Sequence, residues 1–205
     1  MKQIILLLGL LFLMSFNTNK INNNASNNQA KNNSDSILND KQIRFNEFKN
    51  KLPIYNPPIK IHCGLDNTES LDNYMGFSDF IPDEMNVAYG YVNTKETYDL
   101  IIFGAIGDDI YPYIYSYDCN GNILDSFFLI ISPCGGADEY SIPNSYAFIK
   151  NVGEITLIDS TSSIKYTNNT YEIVSTMITT VSIKVDDNGK FREIKKEIKE
   201  VKSLN

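Results

Sequence analysis

The chain has 205 residues, 42% of them hydrophobic, with 18 basic and 25 acidic side chains and a formal net charge of −7. Such a length suits one ordinary domain that can bury a core without metals or many crosslinks. The acidic balance argues against nucleic acid as a partner, because binding would have to overcome phosphate repulsion.

Residues 1–16 read MKQIILLLGLLFLMSF, a single Lys2 followed by an apolar run that is too short to cross a bilayer comfortably. This pattern is typical of a secretory signal peptide. The residues around Ser15 and Asn17 match the small-residue cleavage pattern poorly, so an uncleaved anchor stays open as the alternative. The sequence predicts an exported protein that is periplasmic, cell-surface or extracellular, with no membrane contact beyond such an anchor.

Residues 17–39 are dominated by asparagine and contain scarcely any large apolar side chain. A segment of this kind cannot bury enough surface to offset the entropy lost on ordering. We therefore expect a flexible linker over 17–39 and a single β-rich domain over 40–205.

The domain begins with a helical pattern and continues with a proline-rich approach to a strand. Phe45, Phe48 and Leu52 recur at three- and four-residue spacing, which predicts one short amphipathic helix. The residues from Ile59 to Cys63 then alternate apolar and polar, which predicts a short edge strand. The stretch that follows, 64–85, shows no sustained period and is expected to be irregular.

From Asn86 onward, nine apolar and β-branched runs are separated by Gly, Asn, Asp and Pro. Runs at this spacing, with no long helical pattern between them, indicate antiparallel pairing. The fold class that the sequence predicts is mainly β, an antiparallel sheet or sandwich built from hairpins, with one short N-terminal helix.

The stretch YSYDCNGNILDSF, residues 115–127, places acidic and amide side chains at a spacing that resembles a calcium loop. An EF-hand loop needs a flanking helix on each side and a later bidentate Glu, and neither is present. Asn-Gly between two extended runs instead favours a type I′ turn with Asn120 and Gly121 at its tip. That turn pairs Tyr113 with Phe128 and leaves both hairpin faces apolar, so we expect the hairpin to lie centrally.

The stretch IKVDDNGKFREI, residues 183–194, repeats the Asp-x-Asn-Gly core. A tip at Asn188 and Gly189 pairs Lys184 with Glu193, Ile183 with Ile194, and Thr179 with Ile198. Side chains of opposite charge then face each other, and apolar side chains face apolar ones, which favours a strand for the C-terminal segment. The same segment also fits a helical heptad, so a helix stays open as the alternative.

Three cysteines in an exported chain suggest one disulfide and one leftover thiol. Cys119 lies at the predicted hairpin tip, and Cys134 lies roughly 40 Å further along the returning strand. A disulfide requires Cα atoms within about 7 Å, so we predict the pair Cys63 and Cys134. Three unpaired thiols are the alternative.

The sequence offers little support for catalysis, and we predict no catalytic residues, no metal ligands and no cofactor. The one histidine, His62, points to the opposite strand face from Cys63, so the two cannot form a catalytic dyad. Four acidic doublets, at 83–84, 108–109, 138–139 and 186–187, all fall in predicted turns.

The residues IYPYIYSY place Tyr111, Tyr113, Tyr115 and Tyr117 on one face of a predicted strand. Aromatic strips of this kind can stack on sugar rings or accept an extended peptide. Tyr115 and Tyr117, at the tip end, are the predicted ligand-binding residues. The alternative is that these rings pack beneath a second layer.

Two groups of motifs resemble small exported β-rich proteins of unknown function from AT-rich Gram-negative bacteria. They are an F-x-x-F then L-P order and a Y-x-Y-D-x-N-G-x-x-x-D-S order, at Phe45, Phe48, Leu52, Pro53, Tyr115, Tyr117, Asp118, Asn120, Gly121, Asp125 and Ser126. The resemblance implies no catalytic residues. We expect an exported non-catalytic domain acting in binding or as an envelope accessory, with a glycan or peptide as ligand. The alternative is a secreted hydrolase that uses two of Asp108, Asp109, Asp138 and Glu139.

Overall fold

A computed structural model describes residues 40–65, 68–94, 96–132, 141–167 and 170–202, all within one compact unit. The predicted signal peptide or anchor and the predicted linker lie outside the described residues. The predicted fold class is confirmed, because two mainly antiparallel sheets and one short N-terminal helix account for most of the described chain. No helix among the described residues has the length and apolar character needed to span a membrane.

The described chain begins with a helix over residues 40–51, here called α1. Eleven strands follow it, with one 3₁₀ segment between the third strand and the fourth. In chain order after α1 they are β1 (Ile54–Tyr55), β2 (Ile59–His62), β3 (Glu69–Ser70), the 3₁₀ segment (Leu71–Phe80), β4 (Val87–Val92), β5 (Asp99–Ile106), β6 (Ile110–Tyr117), β7 (Ile123–Phe128), β8 (Ser141–Asn151), β9 (Glu154–Thr167), β10 (Thr170–Val185) and β11 (Phe191–Lys202).

The described strands form two sheets. Sheet A has the order β1-β4-β5-β6-β7, with β3 also paired to β4, and β1 is parallel to β4. Sheet B is antiparallel throughout in the order β11-β10-β9-β8-β2. The predicted edge position of the strand at Ile59 is confirmed, and the C-terminal segment is a strand and not a helix.

The two sheets pack face to face around an inter-sheet core, and α1 with the 3₁₀ segment covers the other face of sheet A. The inter-sheet core includes Leu100, Ile102, Ile114, Leu157 and Ile183. The helix-side core includes Phe45, Phe48, Tyr74, Phe80 and Phe103. Sheet A is therefore buried on both faces, as the apolar pattern of the β6–β7 hairpin predicts.

The predicted helix face of α1 is confirmed, because Phe45, Phe48 and Leu52 are all buried. The ring of Phe45 contacts Phe80 and Tyr117 at centroid distances of 5.2 and 5.3 Å. The stretch 64–85, predicted as irregular, contains β3 and the 3₁₀ segment. Ser70 begins that segment by accepting the backbone N–H of Asp72 through its side chain.

The two Asp-x-Asn-Gly turns share one geometry, and it differs from the predicted type I′ turn. The N–H of Gly121 donates to the carbonyl of Asp118 at 3.0 Å, and the N–H of Gly189 donates to the carbonyl of Asp186 at 2.8 Å. The central positions are therefore one residue earlier than predicted. Each glycine follows the turn with a positive φ, 76° and 74°, as in a three-residue hairpin loop with a glycine bulge.

The displacement of each turn by one residue explains which of the predicted cross-strand pairs are observed. Tyr113 pairs with Phe128 as predicted, and Thr179 pairs with Ile198 as predicted. The pairs predicted nearer the second turn are wrong, because Lys184 faces Arg192 and Ile183 faces Glu193. A second bulge between Ser182 and Ile183 restores the predicted register for the rest of the strand.

Candidate functional site

Tyr115 and Tyr117, the predicted ligand-binding residues, lie inside the helix-side core. Tyr117 has no exposed surface, and Tyr115 is buried beneath the same layer. The hydroxyl of Tyr117 donates to the carbonyl of Phe80 at 2.8 Å, and burial raises the pKa of Tyr117 well above its usual range. The alternative arrangement, with the rings beneath a second layer, is the one observed, because α1 occupies the face that a ligand would need.

Of the three cysteines, Cys63 is disulfide-bonded and Cys119 is a free, exposed thiol at the β6–β7 turn. Cys119 is therefore not part of the disulfide, which agrees with the predicted separation of Cys119 from Cys134. Cys134 lies outside the described residues, so its pairing with Cys63 stays a prediction.

The residues that the hydrolase alternative needs are only partly described. Asp108 is exposed. Oδ1 of Asp109 accepts a hydrogen bond from the N–H of Ile110 at 2.7 Å, within the tight β5–β6 turn. Asp138 and Glu139 lie outside the described residues. His62 is exposed on β2, and its ring lies 5.6 Å from that of Tyr146.

The oxygens of Asp118 are taken up by donors of its own turn. Its Oδ1 accepts the backbone N–H groups of Asn120 and Asn122 at 2.8 and 2.9 Å, and its Oδ2 accepts the side-chain amide of Asn122 at 2.7 Å. Asp186 repeats this pattern with Asn188 and Lys190. Each aspartate thus caps a turn, and the described residues bring no three metal-ligating side chains together.

One open cleft of about 390 Å³ lies between the two sheets' ends, lined by Pro57, Asn93, Glu96 and residues 150–153. Its charged side chains are Glu96 and Lys150, and Lys150 pairs with Glu154 at 3.2 Å on the surface. Glycoside hydrolysis requires two carboxylates at a fixed separation. Among the described lining residues Glu96 is the only carboxylate, so this cleft does not supply that pair.

The strongest surface feature is the overhang of sheet B. Strands β9, β10 and β11 have 14, 16 and 12 residues, whereas β5 and β6 of sheet A have 8 each. Only the half of β10 near the second turn is buried, through Val181, Ile183 and Val185. The far half extends past the sandwich and leaves large apolar side chains open to solvent.

The face of this overhang that points away from sheet A carries a compact apolar group. The hydroxyls of Ser162 and Thr176 lie 2.9 Å apart, which places both on that face, because Thr176 alternates with the buried Val181 and Ile183. Two residues beyond Ser162 is Ile164, which pairs with Ile173.

The same face continues to the end of the hairpin. Tyr166 pairs with Tyr171, and their rings contact each other at a centroid distance of 6.3 Å. We call Ile164, Tyr166, Tyr171, Ile173 and Val201 the tip surface. Tyr166 and Tyr171 are 58% and 56% exposed, whereas Ile164 is buried among its neighbours.

The tip surface was not predicted from the sequence. Its residues belong to candidate strands that the sequence does identify, but the packing of the two sheets decides which face of sheet B stays uncovered. Met177 and Ile198, on the opposite face of the same overhang, are 45% and 65% exposed. Exposed apolar side chains that adjoin each other, as on the tip surface, make it the candidate interaction surface.

No protein-family model matches the chain, and comparison with curated proteins and with solved structures finds no match. The functional assignment therefore depends on the geometry of the described residues.

Proposed function

We propose that the chain is an exported, non-catalytic binding module that docks a protein partner on the tip surface. The observation that carries this proposal is the overhang of sheet B, which holds Tyr166, Tyr171 and Ile173 in solvent at the end of the β9–β10 hairpin. Holding these side chains out of the core gives up the hydrophobic stabilisation that burial would provide. An interaction that covers them would recover it.

The chemistry of the tip surface favours apolar protein side chains over a glycan. Sugar rings stack on aromatic faces and need polar groups around them to bond their hydroxyls. Here the two tyrosines share one face of the sheet with the aliphatic residues Ile164, Ile173 and Val201. Branched aliphatic side chains match the apolar anchors of a polypeptide.

The charge of the chain is consistent with a protein partner and gives no attraction for phosphate-rich ligands. The formal net charge is −7. Acidic groups near the tip surface are few, with Glu172 on β10 and Glu200 on β11. Recognition there would rest on apolar contact, with specificity from shape.

A combined peptide and glycan array tests this proposal on the full chain in its exported form. The test variant combines Tyr171→Thr with Ile173→Thr, which places threonine, a good strand former, at both positions but removes the apolar surface. Ile106→Thr is the control, because Ile106 is 61% exposed at the far end of β5.

We expect wild type and the Ile106 control to retain peptides with apolar anchors, and the double variant to lose them. Glycan binding that survives in the double variant, or cleavage of any arrayed substrate, would contradict the proposal.

A further inference from the structure

Strand β11 forms one edge of sheet B, and between Lys195 and Glu200 its charged side chains face no charged residue of β10. From Arg192 to Lys202 every residue of β11 is exposed. The neighbouring β10 residues opposite positions 195 to 200 are Ser182, Val181, Thr180, Thr179, Ile178 and Met177, none of them charged. The one ion pair within this stretch, Lys195 with Glu197 at 2.8 Å, runs along the strand and is exposed.

We infer that β11 pairs antiparallel with β11 of a second copy of this chain, about a two-fold axis that passes at Ile198. Two identical strands that pair antiparallel in one sheet must be related by an axis between two copies of the same residue. The sequence of β11 therefore offers a small set of registers, one for each residue on the axis, and the charges discriminate among them.

Only one register avoids every directly opposed like charge. Consider the axis at each position from 194 to 199, which leaves at least three residues of β11 on either side. With the axis at 195, 196 or 199, lysine faces lysine, and at 197 glutamate faces glutamate. With the axis at 194, Arg192 faces Lys196. At 198 none of these conflicts arises.

In the remaining register the side chains from Lys196 to Glu200 are complementary. Ile198 faces Ile198 of the second copy, Glu197 faces Lys199, and Lys196 faces Glu200, each charged pair occurring twice by symmetry. The faces also agree: Lys196, Ile198 and Glu200 lie on the sandwich side of sheet B, and Glu197 and Lys199 lie on the other side. No bulge interrupts β11 between Lys195 and Lys202.

The same charges explain why the exposed edge does not pair indiscriminately. Charged residues on an edge strand oppose pairing with other chains and with the wrong register. An edge whose charges complement themselves in a single register excludes the others and permits that one. The result is a continuous ten-stranded sheet, made from the five described strands of sheet B in each copy.

The contact is small, since it joins two strands over a few residue pairs and, of the tip surface, involves Val201 alone. Interfaces below the standard size are usually weak, so we expect a reversible dimer with a dissociation constant in the micromolar range. Tyr166, Tyr171 and Ile173, which the proposed function uses, lie on β9 and β10 and not on this edge, so the inference stands or fails separately.

Sedimentation equilibrium of the full chain at low salt, over a series of concentrations, tests the inference by charge exchange. Lys199→Glu places glutamate opposite Glu197 twice, and we expect the dissociation constant to rise at least about tenfold. Lys199→Glu with Glu197→Lys restores opposite charges in this register and leaves a like-charge pair in each of the others, and we expect it to return the dissociation constant to the wild-type value. Both changes lie on exposed side chains, and urea unfolding of each variant checks that the fold is retained.

A chain that stays monomeric throughout the micromolar range overturns the inference. So does a dimer that is insensitive to Lys199→Glu, because such a dimer forms elsewhere. A dimer that Lys199→Glu weakens but the double exchange fails to restore also overturns it, because the register is then different. Peptide binding on the array is unaffected by any of these results, which keeps the two tests distinguishable.

Discussion

Phe191 donates its backbone N–H to Oδ2 of Asp125 at 2.9 Å, and this bond joins the first residue of β11 to strand β7 of the other sheet. Nearby, the hydroxyl of Ser116 donates to the carbonyl of Gly189 at 2.6 Å. The second Asp-x-Asn-Gly turn is thereby fixed against sheet A. It anchors the long strands β10 and β11 at one end and leaves the other end to overhang.

Replacing Asp125 should loosen this anchor. Asp125→Ala removes the acceptor for Phe191, and we expect the free energy of unfolding to fall by about 1–2 kcal/mol. Asp125→Asn keeps one oxygen acceptor and should lose less. Urea unfolding of the three proteins measures the difference, and equal stability of Asp125→Ala and wild type would show that the bond contributes nothing.

Gly121 is a second position where a substitution should lower stability, because both its backbone conformation and its surroundings require glycine. Its φ is 76°, and an added Cβ would lie 2.7 Å from the ring of Phe80 and 2.8 Å from that of Phe45. Gly121→Ala should therefore cost at least about 2 kcal/mol through backbone strain and overpacking.

The matched control for that change is Gly76→Ala, because an added Cβ there meets nothing within 4 Å. We expect its stability to stay within about 0.5 kcal/mol of wild type. Thermal or urea unfolding compares the two, and similar losses at both glycines would contradict the packing described for the first turn.

The ion pair between Lys49 of α1 and Asp99 of β5 should matter more than the exposed pair of the same helix. Lys49 contacts Asp99 at 2.6 Å with both side chains largely buried, and the hydroxyl of Tyr91 also donates to Asp99 at 3.0 Å. Asp99→Asn leaves a largely buried ammonium without its counter-charge, so we expect a loss of about 2 kcal/mol.

Asp79 provides the comparison, since it binds Arg44 of α1 at 2.8 Å with both side chains well exposed. Asp79→Asn should cost no more than about 1 kcal/mol. Urea unfolding compares the two variants. A larger loss of unfolding free energy for Asp79→Asn than for Asp99→Asn would contradict the importance of burial for the pair of Lys49 and Asp99.

The pH dependence of stability should include a contribution from Asp118. Partial burial by itself raises the pKa of Asp118, but the hydrogen bonds from Asn122 and Asn120 and the nearby Lys41 outweigh it and lower the pKa below its usual range. A carboxyl with a lowered folded-state pKa adds stability above its unfolded pKa of about 3.9, and that stability is lost as pH falls through the folded pKa.

Asp118→Asn should remove this contribution. We expect the gap in unfolding free energy between wild type and Asp118→Asn to be largest at neutral pH and to shrink as pH falls below about 4. Cys119→Ser, an exposed change in the same turn, should keep the wild-type pH dependence. Urea unfolding at several pH values measures the gap. A gap that widens as pH falls would contradict a lowered pKa for Asp118.

Much of the fold could be predicted from local patterns. The spacing of Phe45, Phe48 and Leu52 predicts the buried face of α1, and the apolar character of both faces of the β6–β7 hairpin predicts its central position. Complementary pairing predicts a strand at the C-terminus, and Thr179 does face Ile198. These features depend on residues close in sequence, where periodicity and turn chemistry act directly.

The errors arise where Asn-Gly alone did not decide the turn. The aspartate two residues before each asparagine, Asp118 and Asp186, accepts backbone N–H groups across the turn, which favours the longer loop with a glycine bulge. The registers next to each turn shift by one residue as a consequence. An Asp at that position was visible in the sequence and could have signalled the longer loop.

The candidate surface could not be predicted, because it depends on the relation between two sheets. Tyr115 and Tyr117 sit on a strand face that looks available in sequence, yet α1 covers it through Phe45 and Phe48. Tyr171 and Ile173 belong to a pattern that looks like ordinary core, yet they lie on the face of sheet B that points away from sheet A. Which face is covered follows from long-range packing, which local periodicity does not encode.

The central claim is that the overhanging end of sheet B receives the partner. Hydrogen–deuterium exchange of the full chain, with and without the tightest peptide from the array, tests it most directly. We expect the peptide to slow amide exchange at Ile164, Tyr166, Tyr171 and Ile173. Amide exchange in the cleft beside Pro57 and Lys150 should stay unchanged. Slower exchange confined to that cleft, with the tip surface unaffected, would contradict it.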